Sequence, residues 1–102
     1  MNFELELSKG NFYTPTCTKC SKIIWPPSEF CNYCFGVVSF KNKIVDGKII
    51  EFSKKDDEYF CLVEFENEII VMAKMFNMPK IGQKVEILKC GIIEGNYFFQ
   101  VN

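Results

Sequence analysis

Apolar and polar residues alternate along the second half of the chain. Between residues 59 and 65 every position of one parity is apolar: Tyr59, Cys61, Val63 and Phe65. This alternation predicts a strand with one buried face. Residues 69–75 are apolar on both parities, which is typical of a strand in a small closed sheet.

Turn-forming residues divide this half of the chain into short segments. Asp46-Gly47 is typical of a hairpin turn, and residues 54–58 predict a charged loop. Further turns or breaks are predicted at residues 66–68, 78–82 and 94–96. The other predicted strands cover residues 37–40, 43–45, 48–52, 83–88 and 97–101.

Short strands at regular spacing, without a helix of convincing length, indicate a sandwich or a barrel. Residues 41–102 are too few to form two sheets of useful size. We therefore predict a mainly β chain in which this part forms a small five-stranded barrel of the OB type.

Two segments precede the predicted barrel. In the lead, residues 1–13, Phe3 and Leu7 have the spacing of a helix, but Phe3, Leu5 and Leu7 also alternate like a strand, so both alternatives stay open. Residues 14–40 contain four paired cysteines, three of the four prolines and the only tryptophan. A segment so rich in turns cannot bury a core of its own, so we expect a metal ion to hold it as a small ribbon.

Cys17, Cys20, Cys31 and Cys34 form two Cys-x-x-Cys knuckles. The two-residue spacer lets both sulfurs of a knuckle reach one ion at about 2.3 Å, and two knuckles complete a tetrahedron. Four thiolates leave no position open for water. We therefore predict one structural zinc ion in a rubredoxin-like ribbon, with these four cysteines as its ligands.

Iron is the alternative metal, because a tetrahedral set of four sulfurs also suits a one-electron iron centre. Redox knuckles usually carry a glycine directly after the second cysteine. Here Ser21 follows Cys20, and Phe35 separates Cys34 from Gly36. We therefore favour zinc over iron.

The remaining cysteines and the tryptophan have structural interpretations. Cys61 and Cys90 lie in predicted strands, and we expect both to be small core residues rather than reactive thiols. Trp25 is either an exposed platform for a partner or an indole packed on the ribbon or barrel. We favour the packed alternative.

Composition and charge narrow the function classes. The chain has 102 residues, a net charge of −1, no histidine and no arginine. The sequence has no histidine, and no pair of carboxylates, glycine-rich phosphate loop or Ser/His/Asp set can be assembled from it. We therefore predict that the protein is not an enzyme. The charge balance disfavours nucleic acid as a partner. The N-terminal residues do not predict a secretory signal, and no segment is apolar enough to span a membrane, so a cytoplasmic location is expected.

The order of these parts resembles a prokaryotic family, long catalogued as of unknown function, whose members accompany thiolases and thiolase-like enzymes. It combines a rubredoxin-like zinc ribbon, with Pro-Pro before its second knuckle, and a small OB barrel. The matching stretches are Gly10 to Cys20, Pro26-Pro27 to Cys34, Lys48 to Lys54, Tyr59 to Glu66, and Ile81 to Val85.

The resemblance implies a non-catalytic subunit associated with acyl-CoA enzymes. In the archaeal relatives this subunit bridges acetoacetyl-CoA thiolase and HMG-CoA synthase, and its OB domain helps to hold the CoA part of a shared intermediate. No motif assigns a CoA contact to a residue of this sequence. The alternatives are a single-stranded nucleic-acid-binding protein, suggested by the OB-type barrel and its aromatic residues, and an iron-loaded electron-transfer ribbon.

Overall fold

The computed structural model describes residues 3–102, which form one short helix and seven strands. The elements are α1 (Phe3–Ser8), β1 (Tyr13–Cys17), β2 (Val38–Lys43), β3 (Asp46–Lys55), β4 (Glu58–Phe65), β5 (Ile69–Met75), β6 (Lys84–Ile93) and β7 (Asn96–Val101). Within these residues no helix has the length and apolar character needed to cross a membrane.

Strands β3 to β7 close into a barrel in the order β3-β4-β5-β7-β6. β3, β4 and β5 form an antiparallel meander, and β6 pairs antiparallel with both β3 and β7. β7 meets β5 in parallel, where Gln100 lies opposite Lys74. The prediction of a mainly β chain with a five-stranded barrel is confirmed.

The barrel interior is filled by the side chains that the alternating pattern placed on one face. Cys61, Val63 and Phe65 of β4 are completely buried. Side chains from the other strands complete this core, among them Ile49, Ile69, Val85, Phe99 and Val101.

Asp46-Gly47 does not form a hairpin turn, so that prediction is wrong. Both residues lie in β3, where Asp46 pairs with Glu86 and Gly47 pairs with Val85 of β6. The φ of Gly47 lies outside the left-handed region, so no turn requires this glycine. A Cβ atom at Gly47 would instead lie 2.6 Å from the ring of Phe65, which shows that the glycine makes room for a core side chain.

The predicted charged loop at residues 54–58 is also shorter than expected. β3 continues through Lys55 and β4 begins at Glu58, so only Asp56 and Asp57 form the turn. Asp56 has a φ of 57°, which aspartate tolerates better than most residues.

The ribbon contains a two-stranded antiparallel sheet. Tyr13 of β1 lies opposite Lys43 of β2 at one end, and Cys17 lies opposite Val38 at the other. The two short strands predicted within residues 37–45 are therefore mostly one strand that belongs to the ribbon. The division of the chain into three segments stays a prediction, with this sheet extending from Tyr13 to Lys43.

The lead forms a helix, which decides between the two alternatives left open by its sequence. Phe3 and Leu7 are buried on the side of α1 that packs against β6 and β1. Gly10 follows the helix with a φ of 88°, and its amide donates a 2.9 Å hydrogen bond to the carbonyl oxygen of Leu7. This left-handed glycine ends the helix, as expected.

A cluster of aromatic rings joins the lead, the ribbon and the barrel. The ring of Trp25 lies 5.8 Å from Phe3, 5.9 Å from Phe12 and 6.4 Å from Tyr97, measured between centroids. Phe12 in turn lies 4.9 Å from Phe99 of the barrel core. Trp25 is therefore packed rather than free, and it holds the ribbon against the barrel.

Candidate metal centre

The fold brings the four predicted ligands together. Cys17 ends β1 and Cys20 lies in the turn that follows, while Cys31 and Cys34 lie in the turn that precedes β2. All four sulfur atoms lie within 4.8 Å of one another. The antiparallel pairing of β1 with β2 is what places the two knuckles face to face.

The two knuckles have matching backbone geometry. The amide of Lys19 donates to the Cys17 sulfur at 3.4 Å, and the amide of Tyr33, at the equivalent position, donates to the Cys31 sulfur at 3.3 Å. Such N–H groups stabilise thiolates, because they place partial positive charge against the sulfur. The backbone of each knuckle is therefore arranged for an ionised first cysteine.

The residue after each knuckle takes a left-handed conformation. Ser21 has a φ of 64° and Phe35 has a φ of 61°. Their amides donate 3.0 Å hydrogen bonds to the carbonyl oxygens of Cys17 and Cys31. The chain thus makes this turn without the glycine usual there, so the lack of glycine after each knuckle does not argue against iron.

Gly36 allows the second knuckle to approach the first. A Cβ atom at this position would lie 2.7 Å from Cβ of Lys19 and 2.9 Å from the Cys17 sulfur. No real Cβ atom tolerates contacts this short, so a larger residue would separate the knuckles.

The distances between sulfur atoms fit one tetrahedral ion. The sulfur atoms of Cys17 and Cys34 lie 3.4 Å apart, and those of Cys20 and Cys31 lie 3.7 Å apart. A tetrahedron with metal–sulfur bonds of about 2.3 Å has sulfur–sulfur edges of about 3.8 Å. The donor set and its spacing are therefore those of a site that can hold one metal ion.

The acidities of the thiols agree with this arrangement. The backbone hydrogen bond from Cys20 is the main reason that the pKa of Cys17 falls to about 6. The amide of Lys22 acts to lower the pKa of Cys20, but burial and hydrogen bonds with the neighbouring thiols together raise that pKa to about 11. Four sulfurs this close cannot all ionise unless a cation compensates their charge.

A small apolar cluster supports the site from behind. Cys17 and Cys31 are buried together with Ile24 and Val38. This cluster is small and shares only Phe40 with the barrel core, so a bound metal ion would add to the few side chains that hold the ribbon in shape.

Residues 6–37 match the family model described as the ChsH2 rubredoxin-like zinc ribbon domain. The segment is a ChsH2-type zinc ribbon. This match confirms the zinc ribbon predicted for this segment, and it covers both knuckles. No curated protein matches the chain.

Two solved structures share the fold of the ribbon and the barrel together. A chain described as "Ltp2-ChsH2(DUF35) aldolase" superimposes with a TM-score of 0.68 at 13% identity, covering 96% of this chain and 90% of that one. A DUF35-family protein of unknown function from Sulfolobus solfataricus has a TM-score of 0.66 at 19% identity, covering 98% of this chain and 82% of that one. These superpositions extend over both the ribbon and the barrel of this chain, so they show a shared fold for the two parts together.

Several residues around the ribbon were not singled out by the sequence patterns. Phe30, Phe35 and Val37 are exposed although they are apolar. The only signal for them in the sequence is a group of apolar residues inside a turn-rich segment. Most such residues are buried, so exposure at these positions cannot be read from the sequence.

Proposed function

We propose that this chain is a non-catalytic subunit that binds a thiolase-type or aldolase-type enzyme and helps it to hold a CoA-linked intermediate. The observation that carries the proposal is the superposition of 96% of the chain on the Ltp2-ChsH2 aldolase chain, through both the ribbon and the barrel. That structure's description pairs a ChsH2 chain with an aldolase, which supports an enzyme of this class as the partner. A bridge between a thiolase and HMG-CoA synthase is the more specific form of the proposal.

We further propose that the metal is zinc and that its role is structural. The matched family is a zinc ribbon, and the four cysteines offer a closed set of thiolates. When bound, the ion would stabilise the ribbon by fixing two knuckles that have little other core. Substrate would not reach it, because no coordination position remains free.

The remaining thiols support a binding role rather than a chemical one. Cys61 is fully buried and Cys90 is nearly so. Burial raises the pKa of both thiols, and the chain has no histidine to act as a base. A neutral, inaccessible thiol is a poor nucleophile.

The barrel is the part that we propose contributes to holding the CoA-linked molecule. Its strand order, in which β6 pairs with both β3 and β7 and β7 meets β5 in parallel, is that of an OB-type barrel. Barrels of this type bind extended ligands on one sheet face and its flanking loops.

Affinity capture tests the proposal. The metal-loaded chain, tagged after Asn102, is used to recover partners from its native organism, and the tag alone serves as the control. We expect a thiolase-type or aldolase-type enzyme in stoichiometric amount, together with one zinc ion per chain by elemental analysis. Recovery without any enzyme of this class would contradict the proposed partner, and stoichiometric iron would contradict the metal.

A further inference from the structure

A groove of about 700 Å³ lies between α1, the loop before the second knuckle, and β2. Its walls combine apolar side chains, among them Phe3, Phe30, Val37, Phe40 and Tyr97, with the polar side chains of Glu4, Ser28 and Glu29. The groove therefore joins the ribbon to the lead on the outside of the molecule. It lies apart from the metal site, whose sulfurs do not line it.

The ribbon side of the groove exposes large apolar side chains. Phe30 and Val37 lie opposite each other in an antiparallel bridge, and their side chains are 55% and 59% exposed. Phe35, at the tip of the same knuckle, is 80% exposed. Exposed apolar side chains paired on a surface, as Phe30 and Val37 are, indicate a site that a partner covers.

The backbone at Phe35 gives independent support. A bulky residue with a φ of 61° is strained, and glycine would adopt the same conformation without strain. Ser21 occupies the equivalent position of the first knuckle with a small polar side chain. The phenylalanine at position 35 therefore adds backbone strain, and its exposed ring packs little against the rest of the chain. A contact with a partner would account for both features.

The charges of the groove indicate what covers it. Glu4 and Glu29 line it, and among the described side chains neither carboxylate has an ion pair. Glu4 accepts a hydrogen bond of 3.5 Å from the hydroxyl of Tyr97. No lysine is among the lining residues that the structure describes. The groove therefore favours a cationic group and disfavours the phosphates of CoA.

We propose that this groove and the ring of Phe35 form the surface that docks a protein partner. The segment of the partner that fits carries apolar side chains for Phe30, Val37 and Phe35, and a lysine or arginine between Glu4 and Glu29. This inference rests on the proposed function, because it takes the partner to be the thiolase-type or aldolase-type enzyme proposed above. It places the docking surface on the ribbon and the lead, where Tyr97 is the only groove residue from a barrel strand among the described residues, and leaves most of the barrel free for a CoA-binding surface.

The test compares variants of the full, metal-loaded chain in the capture experiment and in binding titrations with the recovered protein. The tag after Asn102 keeps it away from the groove, whose walls include Phe3. Phe35→Gly is expected to weaken binding by about tenfold or more, while raising the midpoint of unfolding because the strain is removed. Ser21→Gly is the matched control, and it should raise the midpoint with binding unchanged.

A charge reversal tests the second element of the surface. Glu29→Lys should weaken binding by about tenfold. Hydrogen exchange on the complex should then protect a partner segment that contains apolar residues and a lysine or arginine. Reversing that basic residue to glutamate should restore binding to the Glu29→Lys chain. Protection of a segment without a basic residue would overturn the inference.

The outcomes separate the two proposals. If a thiolase-type or aldolase-type enzyme binds all variants equally, the docking surface is wrong and the proposed function stands. If a different class of protein is recovered, and its binding is lost in both Phe35→Gly and Glu29→Lys, the docking surface stands and the proposed function is wrong. If the chain retains no protein at all, both are wrong.

Discussion

Gly47 offers a sharp test of how the barrel is packed. A Cβ atom added here would lie 2.6 Å from two carbon atoms of the Phe65 ring and 2.8 Å from a methyl carbon of Val63. Both neighbours are completely buried, so neither can move into solvent. Gly47→Ala must therefore displace the core or the strand itself.

Two opposing effects determine the size of the change. Overpacking a core by one methyl group costs about 1–3 kcal/mol, and contacts this short belong at the upper end of that range. Replacing glycine with alanine restricts the unfolded chain and returns about 0.4–1 kcal/mol. We expect Gly47→Ala to lower the free energy of unfolding by about 2 kcal/mol, which corresponds to about 1 M in the urea midpoint.

Urea unfolding of the metal-loaded protein, followed by the fluorescence of Trp25, measures this change. Gly91→Ala is a matched control, because its Cβ would also lie 2.6 Å from a phenylalanine ring, that of Phe98. Phe98 is only partly buried, so its ring can rotate outward and the loss should be smaller. Adding Phe65→Leu to Gly47→Ala should recover part of the stability. Equal losses for the two alanine variants, or no recovery, would refute the packing argument.

Three further predictions concern the metal site and the buried acids. Cys31→Ser should lower zinc affinity and expose the ribbon to proteolysis. Cys61→Ala should keep one zinc ion per chain, as elemental analysis can check, and should lose only about 1 kcal/mol of stability in a urea titration. Gly36→Ala should weaken zinc binding in a chelator competition, because its Cβ would press on the first knuckle; unchanged affinity would show that the knuckles can separate freely. Burial raises the pKa of Cys61 and Cys90, and burial together with a nearby carboxylate raises that of Tyr97. Above about pH 9 the unfolded chain therefore loses these protons before the folded chain does, and stability should fall as pH rises further. A double variant with alanine at both cysteines should show a shallower fall.

The sequence was informative where structure depends on residues close together in the chain. The spacing of Cys17, Cys20, Cys31 and Cys34 predicted one site, because each pair lies within a single turn. The alternation in β4 predicted its buried face for the same reason, since strand geometry is local.

Contacts between distant residues explain the one wrong turn prediction and the alternative that the sequence left open. Gly47 has the sequence of a turn, but its conformation is set by Phe65, a core residue on the next strand. The helix of the lead depends on burial of Phe3 and Leu7 against the rest of the chain. Neither environment is visible in the local sequence.

The docking surface is the clearest case of information that only the structure provides. The sequence shows Phe35 beside a cysteine ligand, where packing against the ribbon would be the ordinary expectation. Its exposure and its positive φ follow from how the knuckle turns. Those two observations support the proposed role of this residue in docking a partner.

We propose that this chain serves an enzyme without being one. Acyl-CoA turnover by the recovered enzyme, measured with and without one equivalent of the chain while light scattering reports the mass of the mixture, tests that claim most directly. We predict that the two proteins form a complex, that turnover by the enzyme depends on the chain, and that the chain alone is inactive. Turnover by the chain alone, or an enzyme that neither binds the chain nor responds to it, would contradict the account.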